Sequence, residues 1–76
     1  MHISIKYCVQ WNYLPRATSL AAEIRKAFGV EAELIEGGGG IFDVKADEVM
    51  VFSKHKEGRF PENKEVISLL KKKNKV

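Results

Sequence analysis

The first third of the chain changes from strand-like to helix-like spacing of its apolar residues. Residues 2–7 alternate apolar and polar side chains, a period that predicts a strand. Residues 14–28 carry apolar side chains at intervals of three and four, which predicts a helix with one buried face. We expect Asn12 to be the N-cap of this helix, Pro15 to lie in its first turn and Gly29 to end it.

The remainder of the chain predicts three more strands and a second helix. The strand candidates are short apolar or alternating segments at residues 30–34, 41–44 and 49–52. Gly37–Gly40 separates the first two, and a tight turn at residues 46–48 joins the last two into a hairpin. After a loop through Gly58 and Pro61, the apolar positions between Val66 and Leu70 predict the final helix.

This order of elements predicts an α/β (α+β) fold with a strand–helix–strand unit followed by a hairpin and a helix. The first unit gives parallel strands with a right-handed crossover. The hairpin can dock beside the first strand, which yields a four-stranded mixed sheet with two helices in a single domain over residues 1–76. If the third strand pairs antiparallel with the first, Gly37–Gly40 will lie beside Cys8.

Composition narrows the class of protein. Hydrophobic residues make up 45% of the chain and charged residues 30%, which is ordinary for a soluble globular domain. No apolar run approaches the roughly 20 residues that a membrane span needs. The N-terminus alternates and has no apolar signal-peptide block, so we expect a cytoplasmic protein without a membrane partner. The only cysteine cannot form an internal disulfide, so any disulfide must join another molecule.

The charge is concentrated at the C-terminal end. Residues 1–53 contain five basic and seven acidic side chains, whereas residues 54–76 contain eight basic and three acidic ones. Lysines at a helix end interact favourably with the helix dipole, and they can also attract an acidic partner. Because no aromatic residues interleave with these charges, nucleic-acid binding is disfavoured.

Cys8 is the first candidate for chemistry, since it lies between a predicted strand end and a helix start. Helix N-termini stabilise thiolates, which attack disulfides and peroxides. The alternative is a small buried apolar residue, the usual role of a free cysteine. His2 and His55 show no metal-ligand spacing with Cys8, so no metal is expected. Gly37–Gly40 lacks the following Lys-Ser/Thr of a phosphate loop, so we expect it to allow close backbone approach to Cys8.

Four segments of the chain resemble the selenoprotein W/T/H-like (Rdx) family of thioredoxin-like redox proteins. Residues 7–17, Y-C-V-Q-W-N-Y-L-P-R-A, are similar to the family's Y-C-x-x-C-x-Y motif, in which the second Cys is often selenocysteine. Residues 36–44 resemble its glycine loop and F-D/E-V strand. Residues 52–54 and 58–61 resemble its F-S-K and G-R-F-P segments. The resemblance spans nearly the whole chain and implies a thioredoxin-like fold.

The resemblance also implies a redox pair at Cys8 and position 11, but Trp11 stands where the family has Cys or selenocysteine. Two explanations remain open. The selenocysteine codon UGA differs from the tryptophan codon UGG by one base, so Trp11 could replace a native selenocysteine. Alternatively, the natural protein has abandoned dithiol chemistry. The genomic codon for position 11 distinguishes them.

The leading hypothesis is a small thiol- or selenol-based oxidoreductase or peroxide-reducing protein, which Trp11 impairs. Cys8 would attack, or form a mixed disulfide with glutathione or a protein thiol, and no cofactor other than selenocysteine at position 11 is expected. The alternative is a redox-inert thioredoxin-like adaptor or protein-binding module with Trp11 as an exposed anchor. Packing of Trp11 against the first helix is the structural alternative to that role.

Overall fold

The computed structural model describes residues 1–74 of the chain, and these residues contain four strands and three helices. In chain order they are β1 (Ile3–Cys8), α1 (Leu14–Phe28), β2 (Glu33–Gly37), β3 (Phe42–Ala46), β4 (Val49–Ser53), α2 (Lys54–Glu57) and α3 (Asn63–Asn74). The order β-α-β-β-β-α-α contains the predicted strand–helix–strand unit and hairpin. It adds one short helix, α2, to the two that were predicted.

The strands form one mixed sheet in the order β2-β1-β3-β4, which confirms the predicted fold class. β1 runs parallel to β2 and antiparallel to β3, and β3 pairs antiparallel with β4. At the C-terminal end of β1, Cys8 is paired with Gly37 and Tyr7 with Phe42. The central position of β1 therefore brings its last residue between the end of β2 and the start of β3.

Helices α1 and α3 contact each other and pack on one face of the sheet. Because successive strand residues point to opposite faces, Ile3, Ile5 and Tyr7 are buried towards the helices while Lys6 between them is exposed. The helices contribute five fully or almost fully buried side chains to this core: Ala17, Leu20, Ile24, Val66 and Leu70.

The start of α1 differs from the prediction by one residue. Tyr13, not Asn12, is the N-cap, and its side chain makes no capping hydrogen bond. Asn12 instead has a φ of +57° in the preceding turn, a conformation that Asn tolerates better than most residues. Pro15 lies in the first turn as predicted. Gly29 ends the helix in a left-handed conformation and donates its N–H to the Arg25 carbonyl.

The segment after β4 contains α2 where the sequence predicted only loop. Ser53 is its N-cap, because its hydroxyl accepts a hydrogen bond from the Lys56 N–H at 3.4 Å. Gly58 ends α2 in a left-handed conformation. Helix α2 is a single turn without apolar periodicity, so only its capping residues could have indicated a helix here.

The turn between β3 and β4 is anchored by the N-terminal segment. Asp47 and Glu48 both have positive φ values, 51° and 70°, as a two-residue turn of type I′ requires. The Asp47 N–H donates to the His2 carbonyl at 2.8 Å, and the His2 N–H donates to Asp47 Oδ1 at 2.9 Å. The predicted tight turn is thus confirmed, although neither of its central residues is glycine.

The predicted basic C-terminal segment lies on the last turn of α3. Lys71, Lys72 and Lys73 are exposed there. Lys75 and Val76 lie outside the described residues. Among residues 1–74, none of the helices combines the length and apolarity that crossing a membrane requires.

Candidate functional site

The two residues singled out by the sequence lie at the junction of β1 and α1: Cys8 is the last residue of β1, and Trp11 is in the tight turn that follows it. The Asn12 N–H closes the turn on the Val9 carbonyl at 3.0 Å. The Tyr13 N–H donates to the Cys8 carbonyl at 3.1 Å, which ties the start of α1 to the end of β1. These two hydrogen bonds fix the turn through which the chain passes from β1 to α1. Position 8 lies directly before this turn and position 11 lies within it.

Cys8 is enclosed by its neighbours. Its exposed fraction is 0%, and its thiol is free. The backbone around it is fixed from two sides, because the Cys8 N–H donates to the Ile41 carbonyl at 2.9 Å and the Val9 N–H to the Gly37 carbonyl at 3.1 Å. The predicted placement of the glycine segment beside Cys8 is confirmed by these bonds.

Trp11 is the exposed member of the pair, with 60% of its surface accessible. Its indole lies against Gly40, where an added Cβ would come within 2.6 Å of Cζ3 of the ring. Gly39 and Gly40 have φ values of +65° and +74°, and the Ile41 N–H bonds the Gly38 carbonyl at 3.3 Å. These glycines form a type I′ turn whose backbone supports one side of the indole.

Cys8 and Trp11 thus lie in opposite environments, since the first is buried and the second is exposed. The sequence indicated Cys8 as the attacking residue, but its thiol has no access to solvent in this conformation. Position 11 has that access. A bulky molecule can therefore contact a group at position 11 without rearrangement, whereas it can reach Cys8 only if the structure opens there.

A row of aromatic rings leads from position 11 into the core. Trp11 and Tyr13 meet edge to face with ring centroids 6.1 Å apart, and Tyr13 meets Phe60 at 4.6 Å. Phe60 in turn packs edge to face on the buried Phe42 at 5.5 Å. Such pairs are stabilised beyond simple area burial, so the row fixes the turn to the body of the fold.

Two cations lie on this aromatic row. The guanidinium carbon of Arg16 is 4.0 Å from the ring centroid of Phe60, and Lys54 Nζ is 5.3 Å from the same centroid. Sequence reasoning missed this cluster, because nothing in the spacing of Tyr13, Arg16, Lys54 and Phe60 indicates that they meet. All four stand in segments that resemble family motifs, and that resemblance was the only signal available.

The described residues offer no metal centre. Among residues 1–74, no group of three His, Cys, Asp or Glu side chains comes close enough to hold an ion. His2 instead pairs with Glu33, its Nε2 lying 3.2 Å from the carboxylate. His55 is exposed on α2.

Comparisons with known proteins give a consistent result. A family model described as the Rdx family matches residues 2–72. A Bordetella parapertussis protein of known structure is 31% identical and superposes with a TM-score of 0.90, covering 95% of each chain. The Vibrio cholerae selenoprotein W-related protein is 30% identical with a TM-score of 0.88, covering 93% of this chain and 92% of that one.

Two curated relatives are longer than this chain. Migration and invasion enhancer 1 from Mus musculus and from Bos taurus are each 29% identical over 73 residues. The alignments cover 95% of this chain and 64% of each relative. This chain therefore spans about two thirds of the length of each of these relatives.

Proposed function

Because the chain belongs to the Rdx family of thioredoxin-like proteins, we propose that its fold serves thiol- or selenol-based disulfide exchange at position 11 and Cys8. The observation that supports this proposal is the contrast in exposure, 60% at Trp11 against 0% at Cys8, within four consecutive residues. An exchange pair needs one outer atom that meets the substrate and one inner atom that is protected until the substrate is attached.

In the form with Cys or selenocysteine at position 11, the outer thiolate or selenolate attacks one sulfur of a substrate disulfide. A bond forms to that sulfur, and the second substrate sulfur leaves as a thiolate and takes up a proton. Cys8 then loses its proton and attacks the outer atom, which releases the first substrate sulfur as a thiol. The substrate gains two electrons, and the pair ends as an internal disulfide or selenenyl sulfide. This order reverses the one expected from the sequence.

With Trp at position 11, the chain lacks the outer sulfur or selenium atom that this mechanism requires. The chain as written keeps the fold, the turn and the inner Cys8, but it has no group that can form the first mixed disulfide at the surface. We propose that it is a redox-impaired form in which exchange with glutathione or protein thiols requires Cys8 to become exposed. A cytoplasmic location, where thiols stay reduced, belongs to this proposal.

The test is the Trp11→Cys variant, compared with the Cys8→Ser/Trp11→Cys double variant. Under mild oxidant the single variant should lose two hydrogens by mass spectrometry, and dithiothreitol should restore them. With oxidised glutathione as the oxidant, the double variant should instead accept one glutathione per chain and release the other as a thiol, because it has no resolving thiol. Two free thiols in the single variant, under conditions that oxidise ordinary C-x-x-C proteins, would show that position 11 does not face Cys8.

A redox-inert binding module is the second candidate, favoured by the exposed apolar side chains around the turn. Val9 and Leu14 are 49% and 41% exposed on either side of Trp11. Three adjacent exposed apolar residues are typical of a contact surface. A UGG codon for position 11 in the source genome, together with no disulfide in Trp11→Cys, would favour this candidate.

A further inference from the structure

The surface beside the turn combines apolar side chains with two cations. We define the α1–α2 surface as Trp11, Leu14, Arg16, Lys54 and Phe60. Trp11 and Leu14 are exposed, and Phe60 is half-buried between them and the core. Arg16 and Lys54 both lie over the ring of Phe60, which holds their long side chains in place.

These two cations have no anionic partner in the described structure. Ion pairs within residues 1–74 are His2–Glu33, Arg25–Glu31 and Arg59–Glu65. The first turn of α1 contains no acidic residue, although acids are favoured there by the helix dipole. Residues 9–22 contain no Asp or Glu at all. Arg16 and Lys54 therefore present two positive charges that form no ion pair within residues 1–74, next to exposed apolar area.

Arg16 and Lys54 bring positive charge to the side that faces the turn. Arg16 also lines a groove of about 740 Å³ between α1 and the start of α3, together with Glu23, Glu62 and Lys64. With two acidic and two basic side chains, that groove is balanced. Lys54 does not line that groove, and together with Arg16 it flanks the aromatic row next to position 11.

We propose that the α1–α2 surface docks a short acidic segment of a partner protein that carries an apolar side chain between its carboxylates. The carboxylates pair with Arg16 and Lys54, and the apolar side chain packs on Leu14 and Phe60. This inference rests on the proposed function, because the partner that docks on this surface is the protein whose disulfide reacts at position 11. It requires no side chain of the partner to react.

The experiment uses the chain with Trp11 and a cysteine-free peptide. The probe is a blocked peptide with glutamates on both sides of a central Leu-Phe pair, and its matched control has every glutamate replaced by glutamine. Trp11 is the only tryptophan in the chain, so its emission reports binding at this surface directly, and calorimetry provides an independent affinity. The acidic peptide should bind more tightly than the glutamine peptide, and added salt should weaken only the acidic one.

Charge reversal locates the binding surface. Arg16→Glu and Lys54→Glu should each weaken the acidic peptide roughly tenfold. Lys45→Glu changes the net charge by the same amount on an exposed position of β3 and should leave the affinity unchanged. Circular dichroism confirms that each variant is folded. An equal loss in the Lys45 variant would show that only net charge matters and would overturn the proposal.

Other occupants give different results. A response of equal strength from a single-stranded DNA oligomer, or concentration-dependent self-association lost on Leu14→Ala, would overturn the acidic-peptide assignment. No binding of the acidic peptide by emission or calorimetry would do the same. Failure here is separable from failure of the exchange mechanism, because disulfide formation in Trp11→Cys needs no peptide and peptide binding needs no thiol.

Discussion

The indole of Trp11 lies directly on the backbone of Gly40, and there is no room between them for a single carbon atom. A Cβ placed on Gly40 would lie 2.6 Å from Cζ3 of the indole and 3.0 Å from Cε3. Gly40 also has a φ of +74°, a conformation that disfavours any other residue. The exposed side chain at position 11 and the glycine turn after β2 are therefore one packed unit.

Substitutions in this turn should separate backbone strain from the indole contact. Gly39→Ala adds only strain, since its φ is +65° and nothing lies within 4 Å of the added carbon. Gly40→Ala adds strain and the clash with Trp11. We expect a loss of about 1 kcal/mol in unfolding free energy for Gly39→Ala and about 2 kcal/mol for Gly40→Ala. Urea unfolding measures both.

The matched controls are Gly38→Ala and a change of position 11 itself. Gly38→Ala has neither positive φ nor a close neighbour, so its stability should be nearly that of the natural chain. In a Trp11→Cys background the extra loss at Gly40 should disappear. Equal losses for Gly39→Ala and Gly40→Ala in the natural chain would mean that the indole moves aside freely.

The β3–β4 turn should be easy to stabilise. Glu48 has a φ of +70° at the second position of a type I′ turn, where glycine is preferred. Glu48→Gly should raise the unfolding free energy by about 1 kcal/mol, because it removes the left-handed strain. Glu48→Ala keeps the strain and should give no gain. A melting temperature that rises equally in both variants would point to charge rather than backbone as the cause.

Stability should depend on pH through the Arg59–Glu65 pair. The two guanidinium nitrogens lie 2.8 and 2.7 Å from the two carboxylate oxygens, and this hydrogen bonding lowers the pKa of Glu65 below its ordinary 4.5. A lowered folded pKa stabilises the fold above the unfolded value, and the effect is lost as pH falls through the folded value. The difference in urea midpoint between the natural chain and Glu65→Gln should therefore be largest above pH 4.5 and vanish in acid.

Glu31→Gln is the control for this titration. Its pair with Arg25 is highly exposed, with 78% and 72% of the two side chains accessible. Such surface pairs contribute little to stability, so this variant should follow the natural chain at every pH. If Glu65→Gln also follows the natural chain throughout, the Arg59 pair does not stabilise the fold.

The C-terminal lysines should be dispensable while the residue before them is not. Lys72 and Lys73 are exposed, and Leu70 is fully buried. Deleting residues 72–76, of which 75 and 76 lie outside the described structure, should change the melting temperature little. Leu70→Ala should lower the unfolding free energy by about 2–4 kcal/mol. A large loss on truncation would show that the lysine stems pack on the body.

The sheet and the position of the glycine segment could be predicted because strand order constrains them strongly. Once residues 2–7 are a central strand with an antiparallel neighbour, the start of β3 must meet the end of β1. The start of α1 could not be predicted to the residue. Asn12 has a capping side chain, but the turn uses its backbone in a left-handed conformation, and Tyr13 begins the helix instead.

The roles of Cys8 and position 11 could not be read from their spacing. Sequence separation shows that they share a turn, but it does not show which of them points outward. That depends on the close pairing of Cys8 with β2 and β3, a tertiary feature. The aromatic row has the same origin, since Phe60 lies 47 positions after Tyr13 and meets it only through packing of the folded chain.

Because Cys8 is enclosed, the rate at which its thiol is labelled reports how often this end of the sheet opens. Its neighbours on both sides are held by backbone bonds to Gly37 and Ile41, so a labelling reagent can reach the sulfur only in molecules where this end of the sheet has separated. The labelling rate, divided by that of the unfolded chain, gives the fraction of molecules open at any instant. Measured over increasing urea, the same rate reveals whether the end frays alone or only when the entire domain unfolds.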